Sequence, residues 1–181
     1  MKLALKAALS SVLVVALVVS GCSTAWIQVA INDAPIVLQI VVAILQIADV
    51  AAVPAAQSAG AQAQSDLALL QKYLADYKAA QAGSTEQVTA LKNIGAALSA
   101  AQTDLNGILA AIHVNNPQKQ QAISAALGVA IAVLGNIELL LPQTPASAQV
   151  KAKAAASLPS PKQVKAAYNA VIGVAYPGAK I

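Results

Sequence analysis

The side chains that could do chemistry are few: one histidine, one cysteine and seven carboxylates in 181 residues. His113 stands where a helical stretch gives way to Val114-Asn115-Asn116-Pro117. An imidazole there interacts favourably with the negative end of the helix dipole and needs no ligand to explain it. A di-metal site in a helical bundle requires Glu-x-x-His pairs on facing helices, and neither Glu86 nor Glu138 has a histidine three residues on. No phosphate-binding loop, nucleophile elbow or zinc spacing occurs. Gln39, Gln46 and Asp49, separated by seven and three, share one helical stripe. They could line a polar pocket or form the wet face of a bundle helix. Tyr73 and Tyr77, one turn apart, offer either an aromatic ledge for a peptide or glycan, or packing at the edge of a core. Asp104 has no partner visible in the sequence and receives no role. No catalytic residue, metal or cofactor is expected, and the chain reads as non-enzymatic.

Charge gives a second lead. Every basic residue is lysine, and residues 142–181 hold five lysines and no acid, whereas residues 22–141 hold four lysines and all seven acids. Lys151, Lys153, Lys162 and Lys165 fall within fifteen residues. Each lysine near an anionic surface is worth about 1 kcal/mol, reduced by salt. The tail is therefore either a contact for anionic lipid or envelope polymer, or a linker kept soluble by its charge. Nucleic acid is not an expected partner: there is no arginine and no aromatic residue interleaved with the lysines.

The N-terminus carries the strongest motif. Lys2 and Lys6 precede the apolar run Val12 to Val19, which stops at Val19-Ser20-Gly21-Cys22. The run is shorter than the ~20 residues that span a bilayer. An aliphatic residue, two small residues and then a cysteine resemble the lipobox of bacterial lipoproteins. The resemblance implies cleavage after Gly21, acylation of Cys22, and attachment to a cell membrane through lipid. Several acyl chains, at ~0.8 kcal/mol per buried CH₂, exceed what stable anchoring needs. It also removes the only thiol, leaving the exported domain without disulfides. In a cell with two membranes, Ser23 in place of an acidic residue favours the periplasmic face of the outer membrane. Trp26, four residues past the lipid, is expected at the bilayer interface with Ile27, Val29 and Ile31.

The elements that must position these groups are helices. The chain is rich in Ala, Leu, Ile, Val and Gln, contains no Phe, and keeps its prolines at segment edges. Residues 36–53 read as a helix apolar nearly all round, opened by Asp33 as N-cap with Pro35 in its first turn and closed by Pro54. After a loose link from Pro54 to Gly60, residues 61–81 form a surface helix with Ala63, Leu67, Leu70, Leu74 and Tyr77 inward. Gly83 caps it, and Ser84 with Gln87 makes a capping box for the next helix. That helix, about 85–113, holds strict heptad spacing at Leu91, Ile94, Leu98, Ala101, Leu105, Ile108 and Ile112. Asn116-Pro117 opens a fourth, running to Pro142 with Ile123, Leu127, Ala130, Leu134, Ile137 and Leu141 on its seam. Gly128, Ala132 and Gly135 would permit close approach of a neighbouring backbone. Beyond a linker rich in Ala, Pro and Lys, with a short helix allowed near 146–156, Ser160-Pro161-Lys162-Gln163 starts a short helix that turns Val164, Tyr168, Val171, Ile172 and Ala175 inward.

The expected fold is all-α: an up-and-down four-helix bundle with a short C-terminal helix. Its divisions are a signal peptide over 1–21, a lipidated membrane-proximal segment over 22–35, a bundle over 36–141, a linker over 142–160 and a C-terminal helix and tail over 161–181. Three functions fit. The first is a non-enzymatic envelope scaffold or interaction module, contacting an envelope protein or anionic polymer. The second is a membrane-active protein that inserts helices 36–53 and 122–141. The third is a carrier of an apolar ligand within the bundle.

Overall fold

Three helix starts are fixed by the capping residues that the sequence places there. In the computed structural model, which describes residues 26–47, 52–142 and 158–181, Ser84 accepts a hydrogen bond from the Gln87 amide, and Asn116 accepts from the amides of both Gln118 and Lys119. Ser160 and Gln163 form a complete capping box. At the first of these the reciprocal bond is shifted by one residue, since the Gln87 side chain accepts from Gly83 N–H rather than from Ser84. Gly83 itself has φ +79°, a left-handed conformation that glycine adopts without steric cost.

The elements are α1 (Trp26–Leu45), α2 (Pro54–Ala79), α3 (Thr85–Ala111), α4 (Pro117–Leu140) and α5 (Pro161–Ile172), followed by a 3₁₀ turn at Pro177–Ala179. No strand occurs among the described residues, and the fold is an all-helical bundle as expected. The linker from 143 to 157, with its short Ala-Lys helix, lies outside the described residues.

Two boundaries differ from expectation, both for the same reason. Asp33 and Pro35 do not open a helix; they lie inside one that is already helical at Trp26. Trp26, Ala30, Asp33, Val37, Ile40, Ile44 and Ile47 alternate in steps of four and three, and every one of them is buried. This seam carries the helix through Pro35, although the missing proline N–H costs the Ile31 carbonyl its helical donor. Residues 26–35 therefore belong to the same core helix as residues 36–45 instead of preceding it, and α1 gives way to a turn at Gln46. Likewise the expected loose link from Pro54 to Gly60 is the first part of α2, with Pro54 in the first turn where its missing donor costs nothing. Gly60 admits the Leu45 side chain, which would lie 2.5 Å from any added Cβ.

Contacts at both ends fix how α1 lies on α2. The rings of Trp26 and Tyr77 are 5.2 Å apart, and Leu45 meets Gly60, so the start of one helix faces the end of the other and the pair is antiparallel. α2 and α3 pack along their length as the expected hairpin, with Gly107 beside Ala59. The α3–α4 pair is held at two points: Gln102, nine residues before the end of α3, donates to Glu138, two residues before the end of α4, and Gln120 near the start of α4 donates to the Ile112 carbonyl and accepts from Val114 N–H. α5 packs on α4, and the chain beyond α5 returns to its start, where Lys119 lies over the Tyr176 ring at 5.1 Å. Tyr168 donates to the Ala179 carbonyl, and the Asn169 amide bonds both the N–H and the carbonyl of Ile181. The expected inward faces of α3, α4 and α5 are buried or packed against the core.

Candidate functional site

The motif with the most specific chemistry, Val19-Ser20-Gly21-Cys22, lies outside the described residues, as do Lys151 and Lys153. Lys162 and Lys165 occupy the first turns of α5; Lys162 is exposed and Lys165 half-buried. Two cations at a helix N-terminus oppose the helix dipole, so they are not there to stabilise α5.

The tyrosine pair is divided between two roles. Tyr77 tilts against the buried Trp26 at 58°, which makes it part of the core and removes Trp26 from the bilayer interface where its type had placed it. The reason is competition: Tyr77 and the apolar seam of α1 offer the indole a fully dry site. Tyr73 stays at the surface beside Lys72, whose ammonium lies 5.5 Å from the ring centroid and 2.6 Å from Asp76. Its hydrogen bond to Asp76 raises the Lys72 pKa. With Asp76, Glu86 and Asn93, Tyr73 lines an open groove of about 570 Å³ at the α2–α3 turn. Backbone and Ser84 hydrogen bonds hold the Glu86 carboxyl below its usual range. An aromatic ledge of two rings does not form.

Gln39 and Gln46 are exposed, and with Leu38 and Val42 they face the 178–181 segment across a second groove of about 470 Å³. Asp49 lies outside the described residues. His113 is exposed in the α3–α4 connection. Among the described residues no three His, Cys, Asp or Glu side chains gather closely enough to hold a metal.

Two polar features escaped the sequence reading. Asp33 is 1% exposed, neither carboxylate oxygen has a hydrogen-bond partner, and burial pushes its pKa from 3.8 up to about 6. The only sign of it was the four-three spacing that runs through position 33. Asp104, given no partner, faces Asp66 across the α2–α3 hairpin, with one carboxylate oxygen buried and without a hydrogen-bond partner. Burial first, then the proximity and charge of Asp66, raise its pKa. These two residues are 38 apart in the sequence, and only the register of the hairpin brings them together.

The small-residue patch on α4 does not receive a neighbouring backbone. A Cβ at Gly128 or at Gly135 would meet nothing within 4 Å. Gly128→Ala and Gly135→Ala should therefore each stabilise the bundle by about 0.5–1 kcal/mol, the ordinary gain for glycine in a helix interior. Urea unfolding of each variant checks this, and a loss of stability would mean that this face is packed against a helix.

Compared with family models, with curated proteins and with solved structures, the chain shows no match.

Proposed function

We propose that the chain is a non-enzymatic, lipid-anchored helical module of a bacterial cell envelope, tethered through Cys22 and serving as a scaffold or interaction unit. The observation that carries this reading is the Val19-Ser20-Gly21-Cys22 motif at the end of a short apolar run. Only three residues separate Cys22 from Trp26, the first core residue of α1, a span of at most ~14 Å. The bundle then stands close to the bilayer, with the Trp26–Tyr77 end and the α2–α3 turn nearest the lipid. The tether supplies one attachment signal and the lysines at 151, 153, 162 and 165 a second, directed at anionic lipid or polymer. An envelope protein is the other class of partner that a helical face fits.

Membrane insertion is the second reading, and one observation favours it: α1 and α4 are both long and apolar enough to cross a bilayer. About half of α1 and slightly less of α4 is buried within the bundle, and core helices of a soluble protein pass the same test. The first reading therefore stands ahead.

Fatty-acid labelling with membrane fractionation tests the tether. The parent should carry label and sediment with membranes, and Cys22→Ser should lose both. Residues 23–181 made without detergent should be helical and monodisperse. Aggregation relieved only by detergent or vesicles would overturn the scaffold reading in favour of insertion.

A further inference from the structure

The heptad seam of α1 carries one ionisable side chain, Asp33, at its third position, with apolar residues above and below. Asp33 is the only acid or base between Trp26 and Leu45. Extrapolating the antiparallel register set by Trp26–Tyr77 and Leu45–Gly60 puts Gln71 level with Asp33, yet neither finds a hydrogen-bond partner for its buried polar atoms. A carboxylate held dry and unpaired is costly as an anion and tolerable as a neutral acid.

We propose that seating of α1 on the α2–α3 hairpin is gated by a proton on Asp33, so that α1 is fully docked when Asp33 is protonated and works loose as it ionises. Among the described residues no charged neighbour offsets this. Lys72 and Asp76 on α2 pair with each other at the surface, Asp104 on α3 is engaged by Asp66, and Glu138 on α4 accepts from Gln102. Tyr168 on α5 is bonded to Ala179, and burial alone displaces the Asp33 equilibrium. An acid whose pKa moves from 3.8 in the open state to about 6 when docked weakens docking by about fiftyfold between pH 4 and pH 7. Pro35, which interrupts its hydrogen-bond ladder, makes α1 the part that yields, and the chain that leads on to α2 keeps a released α1 attached. This device does not depend on the lipid.

Trp26 is the only tryptophan in the chain and sits on the moving helix, which makes it the reporter. In the purified mature protein, acrylamide quenching of Trp26 should rise severalfold between pH 4.5 and pH 8 with a midpoint near 6. Hydrogen exchange of amides 26–45, corrected for intrinsic rate and referred to the α2–α3 hairpin, should accelerate about thirtyfold over the same range. Asp33→Asn should abolish both changes, and His113→Gln, which removes the only histidine, should keep them. α1 protection that holds constant with pH relative to the hairpin overturns the proposal, as does a transition that survives in Asp33→Asn. If Asp33→Asn does not fold, the exchange comparison on the parent decides alone.

Discussion

Asp33→Asn should raise the stability of the bundle at pH 7 by about 3 kcal/mol and leave it unchanged at pH 4. The size follows from a pKa raised by burial from 3.8 to about 6, each unit being worth about 1.4 kcal/mol. The sign follows from proton counting. Below pH 3.8 the carboxyl is protonated in both the folded and the unfolded chain, and the group contributes no pH dependence. Between pH 3.8 and 6 the unfolded chain releases its proton while the folded chain holds it, so stability falls as pH rises. Above pH 6 both forms are ionised and the full penalty persists. Asparagine keeps the shape and leaves the same kind of polar group buried, but it has no charge to desolvate. Urea midpoints of parent and variant at pH 4, 5.5 and 7 should coincide at the first value and separate progressively. Equal midpoints at pH 7 would mean that Asp33 reaches water in the folded protein.

That residue also shows where sequence reasoning failed. Asp33-Ala34-Pro35 has the letters of a helix start, an acidic cap followed by proline in the first turn, and the same letters occur here inside a continuous helix. Local signals and burial pointed to different structures, and burial of Trp26, Ala30 and Val37 on one seam outweighed the cap. In α3 and α4 the two agreed. Heptad spacing and the caps at Ser84 and Asn116 indicated the same elements, and Leu98, Leu105, Leu127 and Leu134 are all fully buried. Tertiary pairings were less legible. Tyr77 was correctly placed on the inner face of α2, but its partner, Trp26, is 51 residues away and had been assigned to the membrane. The Gln102–Glu138 bond between α3 and α4, and the approach of Asp66 to Asp104 across the α2–α3 hairpin, depend on helix register that no periodicity encodes. For Cys22, Lys151 and Lys153 the sequence remains the whole of the argument.

Tyr168→Ala should undock α5 without unfolding the α2–α3 hairpin. α5 joins the bundle through one face whose buried members are Val164, Tyr168 and Ile172. Tyr168 is fully buried, and its hydroxyl ties down the Ala179 carbonyl at 2.8 Å. Truncating a buried aromatic costs about 3–5 kcal/mol, which is more than a twelve-residue helix holding on by three residues can lose, because such a helix is marginal in water on its own. Hydrogen exchange should show lost protection over 161–172 and unchanged protection over 85–111. Tyr168→Phe separates ring from hydroxyl: it should cost only about 1 kcal/mol at pH 7. It should also remove an alkaline weakness, because burial moves the phenol from 10.0 to about 12. Undocked tyrosine ionises near pH 10 while docked tyrosine stays neutral to higher pH, so the full docking strength of the parent is present below pH 10 and falls by about 2 kcal/mol by pH 12. The same pair of variants bears on function, since α5 carries Lys162 and Lys165. Attraction to anionic vesicles through those lysines requires their charge and not a docked helix. Tyr168→Ala should therefore retain vesicle binding that the double substitution Lys162→Gln, Lys165→Gln weakens. Loss of binding in Tyr168→Ala would instead make the docked face of α5, rather than its charge, the element that meets the partner.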